Sequence, residues 1–317
     1  MLTLGVDVGG TKLLAGVVDE QGQVLARAGA ATPKTDVDAI SDGIAALVDE
    51  LRAAHDVGAL GIGAAGWMTL DGESVRFAPH LAWRDEPLRG VVAKRTGLPV
   101  TVDNDGNATA WAEHRFGAGQ RVDDLVAVTV GTGIGCGLVI AGSVYRGAAG
   151  VAAEPGHMRV VPDGRRCPCG NRGCWEQYAS GSALETEARE LARTSPAAAG
   201  ALLDLVGGDV DAIDGRVIAR AAALGDSAAL DCFRVVGGWL GQGLADIAAL
   251  LDPARFVIGG GVGEAGELLL APAREAFRAA LTGRGHRPWA EIVPAALGTD
   301  AGLVGAADLS RRALLLA

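Results

Sequence analysis

Aromatic residues are scarce: Phe, Trp and Tyr together make up 4% of the 317 residues. Cores must then rest on aliphatic side chains and close backbone contacts, and the 48 glycines permit such contacts. No Lys/Arg-rich run occurs, and the formal net charge is −10. A nucleic-acid binder shows a basic face, so nucleic acid is not an expected partner. No stretch of about 18 apolar residues is free of charges and turn residues, so no membrane span is expected. The opening stretch, Met1 to Lys12, lacks a charged leader followed by an apolar segment and a cleavage site. It reads as no secretory signal, and the expected compartment is the cytoplasm. Cysteine is also rare, with five in all, yet three crowd into Cys167–Cys174. Without a secretory signal, that crowding points to metal binding rather than a disulfide framework.

The chain is longer than one typical domain and fits two of about 150 residues each. Apolar residues make up 49%, enough for sizeable cores. Short apolar runs at Leu2–Val8, Leu13–Val18 and Gln23–Ala30 predict strands, the last two joined through the turn Asp19-Glu20-Gln21-Gly22. In Asp36–His55, residues Val37, Ile40, Ile44, Leu47, Val48 and Leu51 share one face at steps of three and four, which predicts a helix. Leu60–Ala64 and Pro99–Val102 read as strands, Pro87–Thr96 and Asn107–Phe116 as helices. The pattern then restarts at Leu125–Val130, with further strands at Gly137–Ala141 and Val144–Tyr145. Gly150–Ser182 is an irregular insert. Helices follow at Ala183–Arg193, Val217–Leu224, Ser227–Leu251, Glu267–Leu281 and Leu303–Leu315, with strands at Arg255–Ile258 and Ile292–Pro294. Val6-Asp7-Val8-Gly9-Gly10-Thr11 aligns without gaps with Val128-Thr129-Val130-Gly131-Thr132-Gly133, so the two halves read as a duplication.

Each half opens as strand, glycine turn, strand. In Gly9-Gly10-Thr11-Lys12, glycines let backbone N–H groups approach phosphate oxygens, and Thr11 and Lys12 add a hydroxyl and a positive charge. Asp7, at the strand end, is placed to hold Mg²⁺. A Walker A loop is excluded, since that needs Gly-Lys-Ser/Thr and a following helix. Gly131-Thr132-Gly133 is the second such turn, and the pair suggests a clamped nucleotide. Gly259-Gly260-Gly261 ends a strand before a helix. Its dinucleotide-like spacing is set aside, because no acidic residue ends a second strand about 20 residues on; a glycine patch for adenosine fits better.

Asp103-Asn104-Asp105 sits where a strand gives way to a helix. One carboxylate there serves as an N-cap, but three polar residues exceed what a cap requires. Phosphoryl transfer to an alcohol wants a carboxylate within reach of the attacking hydroxyl. Asp105 is the candidate base and Asn104 a candidate sugar-hydroxyl ligand, with capping the competing role. His157, Cys167, Cys169 and Cys174 form a His plus C-x-C-x4-C set that suits a closed, structural Zn²⁺ site; buried, reduced cysteines are the alternative. A zinc-bound His157 keeps its second N–H for a sugar hydroxyl, with Glu154 and Glu176 as acceptors.

Together these motifs resemble the ROK family of repressors and sugar kinases. The likeness runs through Asp7–Lys12, Asn104–Asn107, Gly131–Gly135, Glu154–His157, Cys167–Glu176 and Gly259–Gly261, in the family's order across nearly the whole chain. Within the family, the sequence looks most like actinobacterial ATP-dependent members acting on glucose. The resemblance implies an α/β fold of two actin-like (ribonuclease H-like) ATPase domains facing a cleft. The smaller would span 1–116 with the 303–317 helix packed back on it; the larger, 117–302, would carry a zinc loop at about 150–182. It implies Asp105 as general base in phosphoryl transfer from ATP to the glucose 6-hydroxyl. Gly66, Asn104, Asp105, Glu154, His157 and Glu176 would bind sugar, His157, Cys167, Cys169 and Cys174 zinc. Gly9–Lys12, Gly131–Gly133 and Gly259–Gly261 would bind ATP, with Mg²⁺ near Asp7. Family members often carry Pro-Gly where Ala65-Gly66 stands. A homodimer or homotetramer is also implied. A kinase for N-acetylmannosamine, N-acetylglucosamine or fructose is the alternative. A sugar-responsive repressor is a remoter one, since the first phosphate turn begins at Asp7 with no basic helix-turn-helix ahead of it.

Overall fold

The computed structural model describes residues 1–316. Among them, no helix is long and apolar enough to cross a membrane. In chain order the elements are β1 (Thr3–Val8), β2 (Lys12–Val18), β3 (Val24–Ala31), α1 (Val37–Arg52), β4 (Leu60–Ala64), β5 (Trp67–Met68), β6 (Val75–Phe77) and β7 (Arg84–Glu86). There follow α2 (Leu88–Thr96), β8 (Val100–Asn104), α3 (Asp105–Phe116), β9 (Leu125–Val130), β10 (Ile134–Ile140) and β11 (Ser143–Val144). The remainder is mostly helical: α4 (Glu176–Ala179), α5 (Gly181–Thr194), α6 (Gly200–Leu205), α7 (Gly215–Ala223), α8 (Ser227–Leu251), β12 (Arg255–Gly259), α9 (Glu267–Ala280), β13 (Glu291–Pro294) and α10 (Ala301–Leu316).

Two five-stranded sheets repeat one topology, β3-β2-β1-β4-β8 and β11-β10-β9-β12-β13. In the first, β1 pairs antiparallel with β2 and parallel with β4, which pairs parallel with β8. The second matches it at its ends: β10 is antiparallel to β11, and β12 parallel to β13. The aligned segments at Val6 and Val128 thus occupy the same position in each sheet. A small third sheet, β5-β6-β7, follows β4; its strands of two or three residues carry no periodicity to read.

The chain divides into two compact units. The first holds Met1–Ala127, Cys136–Ala153 and the chain from Ala296 on; the second holds Val128–Gly135 and Glu154–Ala295. The division drawn from the sequence at residue 116 differs, because 117–127 and 136–153 group with the first unit. The reason is a backbone approach between α3 and β10. A Cβ on Gly137 would overlap the Gly106 carbonyl oxygen, and one on Gly106 the Cys136 carbonyl oxygen.

In the first unit, α1 is capped by Asp36, whose side chain accepts from the Ala39 N–H at 3.0 Å, and it buries Ile40, Ile44, Leu47, Val48 and Leu51. The final helix α10 packs Leu303 and Ala307 against Val18 and Leu14 of the first sheet, and its backbone comes close at two glycines. A Cβ on Gly5 would overlap the Leu303 carbonyl, and one on Gly61 the Ala306 carbonyl. Arg311 pins this helix, donating to Thr3 Oγ1 at 2.7 Å and to the Val18 and Asp19 carbonyls at 2.9 and 2.8 Å. In the second unit, α8 and α9 also meet through glycine: a Cβ on Gly241 would overlap the Ala273 carbonyl.

A side chain at Gly61 must therefore push α10 off β4. Gly61→Val should lower stability by about 2 kcal/mol or more, since overpacking a tight core costs roughly 1–3 kcal/mol. A thermal melt checks this; an unchanged Tm would mean that α10 yields freely.

Candidate active site and metal centre

Asp7 is the penultimate residue of β1 and stands half-buried. The β1–β2 turn is closed by Gly9 N–H donating to the Lys12 carbonyl at 3.1 Å, and Thr32 Oγ1 donates to the Gly9 carbonyl at 2.8 Å. Thr11 and Lys12 are exposed. A Cβ at Gly10 would meet only His80, at 3.3 Å. Burial first, then the neighbouring Asp105 charge, pushes the Asp7 carboxyl from 3.8 up to about 7, against the pull of Lys12. The start of α10 adds a close neighbour: a Cβ on Gly302 would lie 2.8 Å from the Asp7 carboxyl carbon. Two carboxylates so coupled suit a divalent cation, which takes oxygen ligands.

The β8–α3 junction separates three roles that the sequence left merged. Asn104 is the N-cap of α3, its Oδ1 accepting from the Asn107 N–H at 3.1 Å. Its Nδ2 donates to the Gly66 carbonyl at 3.1 Å, so Gly66 and Asn104 are brought together. Asp103 is buried in a salt bridge with Arg146. Asp105 opens the helix, accepting from the Gly106 N–H at 3.0 Å, and forms no salt bridge among the described residues. Burial outweighs its hydrogen bonds and lifts its carboxyl from 3.8 to about 6. A carboxylate of that pKa is ionised at neutral pH yet is a stronger base than an exposed one.

In the second unit, the Gly131–Gly133 turn is closed by Gly131 N–H donating to the Gly133 carbonyl at 3.0 Å. The start of α5 caps it, with Gly181 N–H donating to the Gly131 carbonyl at 2.7 Å. Thr132 is exposed. A Cβ on Gly131 or Gly261 would meet nothing within 4 Å. Packing therefore does not demand glycine at either place. Gly260 differs: its φ is +84° and a Cβ would crowd the Val130 backbone, so the fold itself requires glycine there. Gly259 sits between them, a Cβ there lying 3.1 Å from Ala295.

His157, Cys167, Cys169 and Cys174 converge, their ligand atoms all within 4.8 Å of one another. His157 Nδ1 lies 3.7 Å from Cys167 Sγ, and the sulfurs of Cys169 and Cys174 are 3.6 Å apart. A tetrahedron with Zn–S bonds of about 2.3 Å has edges of about 3.8 Å, so the set fits zinc. Burial pushes the Cys167 and Cys174 thiols above their ordinary range, so holding them as thiolates takes a cation. The loop doubles back through Gly170 and Gly173, at φ +96° and +75°. Trp175 anchors it. This side chain is fully buried, its Nε1 donates to the Trp239 carbonyl at 2.8 Å, and its ring occupies the space that a Cβ on Gly243 of α8 would need.

With Nδ1 turned to the thiols, His157 keeps Nε2 for another partner. Glu154 precedes the one-turn helix Pro155–His157. Glu176 opens α4, its Oε1 3.0 Å from Cys167 Sγ and its Oε2 2.6 Å from where a Cβ on Gly133 would stand. That carboxylate links the metal loop to the second glycine turn. Sequence reasoning missed Arg146 and the anchoring role of Trp175. Arg146 lies 43 residues from its partner Asp103, and no local pattern marks the pair.

The chain is 49% identical over 310 residues to the glucokinase of Streptomyces coelicolor, covering 98% of each chain. It is 32% identical to the N-acetylmannosamine kinase of Escherichia coli, covering 97% of this chain and 99% of the relative. Its structure matches the crystal structure of a ROK family glucokinase from Streptomyces griseus in complex with glucose and AMPPNP. The TM-score is 0.91 and the identity 53%, over 98% of this chain and 100% of the other. The family model matches residues 3–313, and the chain belongs to the ROK family.

Proposed function

We propose that the chain catalyses ATP-dependent phosphoryl transfer to the 6-hydroxyl of glucose, in the cytoplasm, and that its two units are actin-like lobes. The observation that carries this reading is Asp105: a carboxylate at a strand-to-helix junction, with no salt bridge among the described residues and its pKa pushed to about 6. The likeness to the Streptomyces glucokinases supports the substrate.

Asp105 accepts the proton of the 6-hydroxyl as that oxygen bonds to the γ-phosphorus, and the bond from phosphorus to the β–γ bridging oxygen breaks to release ADP. Gly66, Asn104, Glu154, His157 and Glu176 bind and orient the sugar, with His157 Nε2 donating. The Gly9–Lys12 and Gly131–Gly133 turns offer N–H groups to the phosphates, and Gly259–Gly261 leaves room for adenosine. Asp7 would hold Mg²⁺, which would supply positive charge to the phosphate oxygens. His157, Cys167, Cys169 and Cys174 would hold zinc, whose role would be to order the sugar-binding loop; four protein ligands would leave no place for substrate.

Asp105→Asn keeps the Gly106 contact but removes the base. It should lower kcat by about 10²–10⁴-fold with sugar affinity little changed. Wild-type kcat/KM should fall as pH drops through about 6, because a protonated base cannot accept. Steady-state kinetics check both, and more than a tenth of wild-type kcat in Asp105→Asn removes it from the role.

Asp7 should act on stability with the opposite sign. Its carboxyl titrates at 3.8 ordinarily and at about 7 in the fold, so between those values the folded chain holds a proton that the unfolded chain has lost. Without ligand, this group makes stability fall as pH rises from about 4 to about 7. Asp7→Asn should therefore raise apo-protein stability at pH 7.5 by on the order of 1 kcal/mol while impairing MgATP use. A lower melting temperature would contradict this.

Elemental analysis of the purified protein should find about one zinc per chain. Cys169→Ala should lose it and weaken sugar binding far more than ATP binding, since metal ligation orders the loop. Calorimetry measures both affinities, and unchanged sugar affinity would mean that the metal loop does not organise the site.

A further inference from the structure

The residue before Asp105's cap is held more firmly than Asp105 itself. Asp103 is 4% exposed and receives four hydrogen bonds. Its Oδ1 accepts from the Asn104 N–H at 2.8 Å and from Asn107 Nδ2 at 2.9 Å. Its Oδ2 accepts from two nitrogens of the Arg146 guanidinium, Nε at 2.9 Å and Nη2 at 2.5 Å. Capping does not explain this arrangement, because Asn104 caps α3. What the four bonds fix is the backbone immediately before Asp105. Asn107, one turn into α3, is drawn in by the same carboxylate. Its Oδ1 is buried without a partner, so Asp103 orients that amide.

Arg146 has a second attachment. Its carbonyl accepts from the Ala152 N–H at 3.1 Å, two residues ahead of Glu154. The stretch between is tightly wound, with φ of +72° at Gly147, +82° at Gly150 and +70° at Ala153. One arginine thus ties the strand-to-helix junction that bears Asp105 to the segment that runs into Glu154.

We infer that Arg146 is a positioning residue for phosphoryl transfer: by holding Asp103 in a two-nitrogen fork, it sets the Asn104–Asp105 backbone and aims the Asp105 carboxylate at the acceptor hydroxyl. The inference rests on Asp105 being the general base. Small displacements of a reacting group are costly, about 10²-fold for 1 Å. Lysine is a poor substitute, because an ammonium is a point charge and cannot reproduce the fork.

The test is steady-state kinetics on wild type, Arg146→Met, Arg146→Lys, Asp105→Asn and the Asp105→Asn/Arg146→Met pair, with thermal melts on each. Arg146→Met should lower kcat by about 10–100-fold and leave the KM for ATP within about twofold. Arg146→Lys should recover part of the loss. In the Asp105→Asn background, Arg146→Met should cost less than about twofold further, because the group it aims is gone; residues acting as a unit are non-additive. A merely structural arginine would cost the same in both backgrounds. That multiplicative result, or a kcat in Arg146→Met within about threefold of wild type, overturns the inference. If Arg146→Met does not fold, Asp103→Asn/Arg146→Met, which leaves no buried charge unpaired, replaces it. A kcat loss in that folded pair supports the positioning role, and wild-type turnover overturns it. Loss in the Arg146 variants but not in Asp105→Asn sinks the base assignment instead, so the two failures are distinguishable.

Discussion

Two carboxylates that repel each other, Asp7 and Asp105, are the constraint on which the first unit turns. Each is pushed above its ordinary range, chiefly by burial, and Lys12, which opposes the shift at Asp7, is exposed. A fold organised for stability alone would not hold them so. The chain holds them by backbone approach: α10 lies on β1 and β4 through Gly5 and Gly61, and its first turn reaches the Asp7 carboxyl through Gly302. On the proposed reading, a bound cation would offset this repulsion, which makes raised carboxyl pKa values expected of a functional site.

The second unit solves a different problem. Its candidate site residues lie on a loop with little regular structure, held by scattered backbone hydrogen bonds such as Val160 N–H to the Gly173 carbonyl at 2.9 Å and Trp175 N–H to the Met158 carbonyl at 2.8 Å. Four candidate metal ligands and one buried tryptophan add to them. Trp175 follows the last cysteine directly and fills the space over Gly243, so the segment carries the four-ligand cluster on one side and packs on α8 on the other. Glu176, the next residue, is thereby held between the thiols and the Gly133 turn.

Much of this was legible in the sequence, for physical reasons. Apolar periodicity located α1, since its buried face repeats at steps of three and four, and the glycine turns announced themselves because few residues serve there. The repeated strand-turn-strand pattern at Val6 and Val128 foretold two sheets of one topology. Ligand spacing found the metal cluster, because a C-x-C-x4-C run must fold back on itself. Other features were not legible. The strands β5 to β7 are too short for periodicity. The split of Asp103, Asn104 and Asp105 into ion pair, cap and unpaired carboxylate depends on Arg146 and Gly66, both more than 35 residues distant. Grouping of β10 with the first unit depends on Gly106 and Gly137 meeting backbone to backbone, a contact between remote glycines that leaves no trace in either local pattern.

The most direct test of the account is a coupled ADP-release assay with MgATP across glucose, N-acetylmannosamine, N-acetylglucosamine and fructose. The account predicts turnover with glucose at the highest kcat/KM of the panel, and formation of the sugar 6-phosphate. No ADP release with any of these hexoses, or a clear preference for N-acetylmannosamine over glucose, would contradict it.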